Sequence, residues 1–179
     1  MNLSSAILAN HIPRFDRPPI SEAEPHSAGP PETVRASKTI LLADDDPSIR
    51  EMLGRVLLSE NFQVITAGTG EETAHRFAAV KPDLVLLDLN MPDGDGWSAF
   101  RFINATQPML PVIVITARPN QLGKASEFGV DAIMEKPLNL PILLDEIKKL
   151  LVETDGERAR RLTRRDFKPV LLDGRTAQH

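Results

Sequence analysis

The chain has 179 residues, 41% of them hydrophobic, with 21 Lys and Arg against 25 Asp and Glu and a formal net charge of -4. That length and apolar share suit one domain with a buried core plus additional segments, and the mild negative charge argues against nucleic-acid binding by the chain as a whole. There is no Cys, which excludes disulfides and thiolate metal sites and fits a cytoplasmic protein, and no apolar run approaches the ~18 residues of a membrane span.

Residues 1–37 hold six of the fifteen prolines and show no helical or strand period, so they read as a disordered leader. Residues 38–152 differ: short apolar runs alternate with helical patterns. Strands are predicted at TILLA (39–43), FQVITA (62–67), DLVLLD (83–88), PVIVITA (111–117) and DAIME (131–135). Helices are predicted at 47–60, 70–80, 96–106, weakly near 120–128, and at 140–152. Five strands, each followed by a helix, require crossover connections. They predict an α/β fold with a doubly wound parallel sheet and helices on both faces. Residues 153–179 carry 7 Lys and Arg against 5 Asp and Glu and read as a solvated basic tail, too short for a separate output domain such as a helix-turn-helix. The apolar residues Leu162, Phe167, Val170, Leu171 and Leu172 allow a weaker reading, in which the tail folds back or docks on a partner.

In an open parallel sheet, ligands bind beyond the carboxyl ends of the strands. The first strand ends there in Asp44 and Asp45, the third in Asp88 followed by Asn90, the fourth in Thr116, the fifth in Lys136 and Pro137. Each has a bland explanation: an Asp at a strand end is usually a turn or cap, Thr has strand propensity, and Lys-Pro is common surface punctuation. Together, three carboxylates, a hydroxyl and an ammonium at one sheet edge suit a hard divalent cation beside a phosphoryl group. A carboxylate can itself accept that phosphoryl group, and Asp88 is the central candidate. Neighbouring carboxylates repel by roughly 4 kcal/mol per pair at 4 Å, with an effective dielectric near 20, so the run ADDDP (43–47) needs a reason. Asp46 is read as an N-cap, with Pro47 at the first helical position.

The stretches ILLADDDPSIRE, PDLVLLDLNMPDGDGW, PVIVITA and MEKP, taken in this order, resemble the receiver domain of response regulators in two-component signalling, of the chemotaxis-regulator type. The resemblance implies a flavodoxin-like sheet with strand order 2-1-3-4-5. It implies that Asp88 accepts a phosphoryl group from a phosphohistidine of a sensor histidine kinase or histidine phosphotransfer protein. Mg²⁺, or Mn²⁺ in its place, would be held directly by Asp45, Asp88 and the backbone carbonyl of Asn90, with Asp44 acting through water. Thr116 and Lys136 would contact the phosphoryl oxygens, the latter beside a cis Lys136–Pro137 bond, and Pro92, Gly94 and Gly96 would shape the loop after the third strand. Phosphorylation would then switch binding to an output protein, with a phosphorylation-dependent homodimer as one outcome. Two features depart from the pattern. Ala117 to Glu135 are 19 residues, slightly fewer than is common in the family, and Ile133 stands where a switching aromatic is usual.

Other classes fit less well. A phosphohydrolase with an Asp nucleophile needs an acid/base Asp where this chain has Asn90. An EF-hand loop starting at Asp93 would need Glu where this chain has Asn104. A degenerate receiver, acting as a constitutive interaction module, is disfavoured because all five site groups are present. His11, His26, His75 and His179 have no ligand spacing, and Trp97 reads as a packing residue under the third helix.

Overall fold

Strands whose apolar residues run without a break must be covered on both faces, and the side chains alternate between those faces with period two. In a computed structural model, which describes residues 37–92 and 96–173, this alternation divides the core in two. The strands are β1 (Thr39–Ala43), β2 (Gln63–Ala67), β3 (Leu84–Asp88), β4 (Val112–Thr116) and β5 (Ala132–Glu135). The helices between and after them are α1 (Pro47–Ser59), α2 (Gly70–Val80), α3 (Gly96–Thr106), α4 (Leu122–Phe128) and α5 (Leu140–Val152). Leu41, Val85, Leu87 and Val114 pack with Phe77, Phe100 and Ile103 of α2 and α3. Ile40, Leu42, Leu86 and Ile113 pack on the other face with Leu53 and Leu57 of α1 and Ile147 of α5. Each such fully buried side chain contributes about 1.5–3 kcal/mol by leaving water.

All strand pairs are parallel, in the order β2-β1-β3-β4-β5. The helix starts follow from local chemistry. Asp46 accepts a hydrogen bond from the Ser48 N–H at 2.8 Å, and Pro47 opens α1. Thr69 accepts from the Glu72 N–H, while the Glu72 carboxylate accepts from the Gly68 N–H. By contrast, α4 is seven residues long, lacks a side-chain N-cap bond and contains Gly123, so it is as short as its spacing predicts. The leader up to residue 36, Gly94 and residues 174–179 lie outside the described residues.

For residues 153–173 the solvated-tail reading requires correction, and the weaker reading, in which the tail folds back, is what the structure shows. Thr154 and Glu157 form a capping box that starts a sixth helix, α6 (Asp155–Leu162). A sixth strand, β6 (Val170–Leu171), then pairs parallel to β5 and extends the sheet. Leu172 is buried in the α1/α5 half of the core. Charge alone misled the sequence reading, because two of the arginines face inward. Arg158 is almost fully buried and donates from Nε and Nη2 to the two oxygens of Asp131, at 3.1 and 2.6 Å, and from Nη1 to the Pro108 carbonyl. Arg161 donates to Asp131 and also to both oxygens of Glu153. Asp131 itself is fully buried and accepts from the Val112 N–H at the start of β4.

Breaking a buried ion pair from one side strands the other charge and costs about 3–5 kcal/mol. Since Arg161 and the Val112 N–H remain on Asp131, Arg158→Ala is expected at the low end, about 3 kcal/mol, in urea unfolding. A pH effect accompanies the outer pair. The Arg161 hydrogen bond, opposed by partial burial, holds the Glu153 carboxyl below its ordinary value. A carboxyl whose pKa is lower folded than unfolded adds stability that is complete above the unfolded value and disappears as pH falls through the folded one. The urea midpoint is therefore expected to fall on acidification below the ordinary Glu range, and Glu153→Gln to remove that part of the fall.

Candidate functional site

The β1–β3 pairing sets Ala43 beside Leu87, which brings the next residues, Asp44 and Asp88, out together at the carboxyl edge of the sheet. Both carboxylates are buried, while Asp45 is exposed. The three offer oxygens within 4.8 Å of one another. Lys136 follows β5 at the same edge, next to a cis bond to Pro137, and its backbone N–H donates to the Thr116 carbonyl that ends β4. Its ammonium bridges the two buried carboxylates, 2.9 Å from Asp44 Oδ2 and 2.7 Å from Asp88 Oδ2.

The other carboxylate oxygens are held by the backbone. Asp44 Oδ1 accepts from the Asp46 N–H and Asp88 Oδ1 from the Asn90 N–H, each at 2.9 Å. The Asp44 carbonyl accepts from Arg50 Nη1 at 2.6 Å, so the second turn of α1 steadies the loop that carries the acidic run. Thr116 is fully buried, one residue past Ile115, which pairs with Asp88 across β3–β4; its Oγ1 accepts from the Arg118 N–H.

Burial is the largest influence on Asp44 and pushes its carboxyl above the ordinary value, against the hydrogen bonds from Lys136 and the Asp46 N–H, with the Asp88 charge adding to the push. Burial likewise pushes Lys136 down, but the hydrogen bonds to Asp88 and Asp44, with their charges, push harder and hold the ammonium above its ordinary value. Three carboxylates face one ammonium here, an excess of negative charge that a divalent cation offsets. The donors are hard oxygens, the class that Mg²⁺ prefers. Asn90 Oδ1 is buried with no hydrogen-bond partner among the described residues, a need that a bound ion's water would meet. The residues therefore fit a hydrated divalent cation.

Every predicted site residue thus lies at one edge: Asp44, Asp45, Asp88, Asn90, Thr116 and Lys136. Arg50 escaped the sequence reading, although a basic residue one turn into the helix after an acidic strand end is a usable signal. Ile133 is buried among the residues of the α2–α4 face. Trp97 is fully buried, makes edge contacts with Phe100 and Phe128, and donates from Nε1 to Gln121, joining α3 to the start of α4.

A parallel sheet in this strand order, with clustered carboxylates and a lysine at its carboxyl edge, defines a CheY-like receiver domain. The comparisons agree: the family model for the response regulator receiver domain matches residues 40–148, and the chain belongs to that family. It is 39% identical over 120 residues to the uncharacterized transcriptional regulatory protein YvcP of Bacillus subtilis, covering 66% of this chain and 50% of that protein. It is 34% identical over 136 residues to the response regulator MprA of Mycobacterium leprae, covering 75% of this chain and 60% of that one. The match thus spans between 26% and 60% of the length of the curated relatives. Among solved structures, the response regulator TrrA of Thermotoga maritima in complex with Mg²⁺-BeF superposes with a TM-score of 0.59 at 34% identity, covering 63% of this chain and 98% of that one. A CheY-like receiver domain of Methanospirillum hungatei gives a TM-score of 0.63 at 27% identity, covering 70% of this chain and 98% of that one.

Two substitutions test the geometry. A Cβ at Gly96 would lie 2.5 Å from the Asp88 carbonyl oxygen and 2.6 Å from Leu89 Cα, both backbone atoms. Gly96→Ala is therefore expected to cost about 1–3 kcal/mol in urea unfolding, because α3 must lift off the strand end. Asp46→Ser, which keeps the N-cap, is expected to change stability by less than about 0.5 kcal/mol in urea unfolding.

Proposed function

We propose that this domain accepts a phosphoryl group on Asp88 from the phosphohistidine of a sensor histidine kinase or histidine phosphotransfer protein, and that the modification switches its binding to an output protein. The observation that carries the reading is the Lys136 ammonium shared between the buried carboxylates of Asp44 and Asp88, with Asp45 alongside. An Asp88 oxygen attacks phosphorus, the phosphorus–nitrogen bond breaks, and its electron pair returns to the imidazole, which takes up a proton. Lys136, held cationic by its carboxylate partners, moves its hydrogen bond from the Asp88 oxygen to the phosphoryl oxygens and offsets their charge. The Thr116 hydroxyl supplies a further donor at the end of β4. Mg²⁺, or Mn²⁺ in its place, would be held by Asp45, Asp88 and the Asn90 carbonyl directly and by Asp44 through water; when bound, it neutralises charge developing on the phosphoryl oxygens. The loop after β4 and the face of α4, β5 and α5 then rearrange around the new charge.

Incubation with acetyl phosphate and Mg²⁺, followed by intact-mass measurement, is expected to show a gain of one phosphoryl group. The gain should vanish in Asp88→Asn and on chelation of the metal, and fall at least tenfold in Asp45→Ala. Uptake at this site by Asp88→Asn would overturn the assignment. Size exclusion before and after the reaction reads whether the modified form dimerises.

A further inference from the structure

The segment after α5 is held to the sheet at two places of very unequal strength. At α6, Arg158 and Arg161 converge on Asp131, which has no access to water, and Arg158 also holds the Pro108 carbonyl ahead of β4. Withdrawing α6 would leave a buried carboxylate without its cations, so this end is fixed. At β6, two backbone bonds reach β5, from the Val170 N–H to the Asp131 carbonyl at 3.0 Å and from the Leu172 N–H to the Ile133 carbonyl at 2.8 Å. Both side chains of the strand are exposed, Val170 at 37% and Leu171 at 42%, and only the residue after it, Leu172, is buried. A two-residue strand with exposed side chains and two backbone bonds is the kind of element that opens locally before the rest of the domain.

The weak end also lies beside the site. Leu171, Leu172 and Asp173 line a cavity of about 1040 Å³ together with residues 135–141, which run from the end of β5 through Lys136 to the start of α5. This stretch carries the ammonium that must change partners when Asp88 is modified. The β6 contacts on β5 lie at Asp131 and Ile133, within five residues of Lys136. Ser126 of α4 adds one polar contact to the connection, its hydroxyl lying 3.3 Å from the Phe167 carbonyl.

We propose that residues 155–172 form a two-part clasp, in which α6 is a permanent anchor and β6 is a strand that leaves the outer edge of β5 when Asp88 is phosphorylated. The inference rests on Asp88 being the phosphoryl acceptor. Release uncovers the backbone edge of β5 and the apolar seat of Leu172, while α6 keeps β6 close enough to rebind when the phosphoryl group is lost.

Hydrogen exchange on the full chain, read by mass spectrometry with and without acetyl phosphate and Mg²⁺, tests this, with intact mass recorded on the same samples. The Val170 and Leu172 amides are expected to exchange at least tenfold faster in the phosphorylated form, while the α6 amides from Arg158 to Leu162 keep their rates. Leu172→Ala should produce the same pattern without phosphodonor. A phosphoryl gain with unchanged or slower β6 exchange overturns the clasp alone, as does loss of α6 protection together with β6 in either experiment. Absence of the phosphoryl gain overturns the acceptor assignment and the clasp with it.

Discussion

The carboxylates of Asp44 and Asp88 leave water at the ends of adjacent strands and share a single ammonium, and the rest of the receiver is arranged around that constraint. Two buried like charges side by side are tolerated only where something cationic reaches both. Lys136 does so because β5 ends at the same sheet edge, two strands away from β3, and because its backbone is tied to the end of β4 through the Thr116 carbonyl. The backbone N–H groups of Asp46 and Asn90 fix the remaining oxygens, so the carboxylates are oriented before any ligand arrives. The close approach of Gly96 to the Asp88 carbonyl sets the start of α3 directly against this strand end. Preorganisation of this kind is what phosphoryl transfer asks of a protein, since its chemistry is mostly positioning and charge stabilisation.

A further buried carboxylate governs the opposite end of β5. Asp131, immediately ahead of β5, draws in two arginines of α6 and takes the first amide of β4. Thus β5 is pinned at its start by an ion-pair network and at its finish by the Lys136 bridge. Between the two, Ile133 is buried where an aromatic switch is usual in the family, so β5 carries no ring at that position. The sixth strand caps what would otherwise be an open sheet edge, a position that proteins commonly cover.

The sequence itself dictated the five-strand alternation, the helix cap at Asp46, the brevity of α4 and the set of groups at the carboxyl edge, because each follows from local chemistry and periodicity or from topology that parallel strands impose. The three aspartates of the acidic run separate as their local chemistry predicts: Asp44 is buried on the lysine, Asp45 faces the same cluster from solvent, and Asp46 caps α1. What only the tertiary structure decided is the fate of the basic stretch after α5. Its arginines read as a solvated surface until Asp131, 27 residues before Arg158, is brought beside them. Composition counts charges but does not say which will meet an opposite charge out of water. That pairing depends on long-range chain placement, and here it turns an apparent tail into a helix and an edge strand of the sheet.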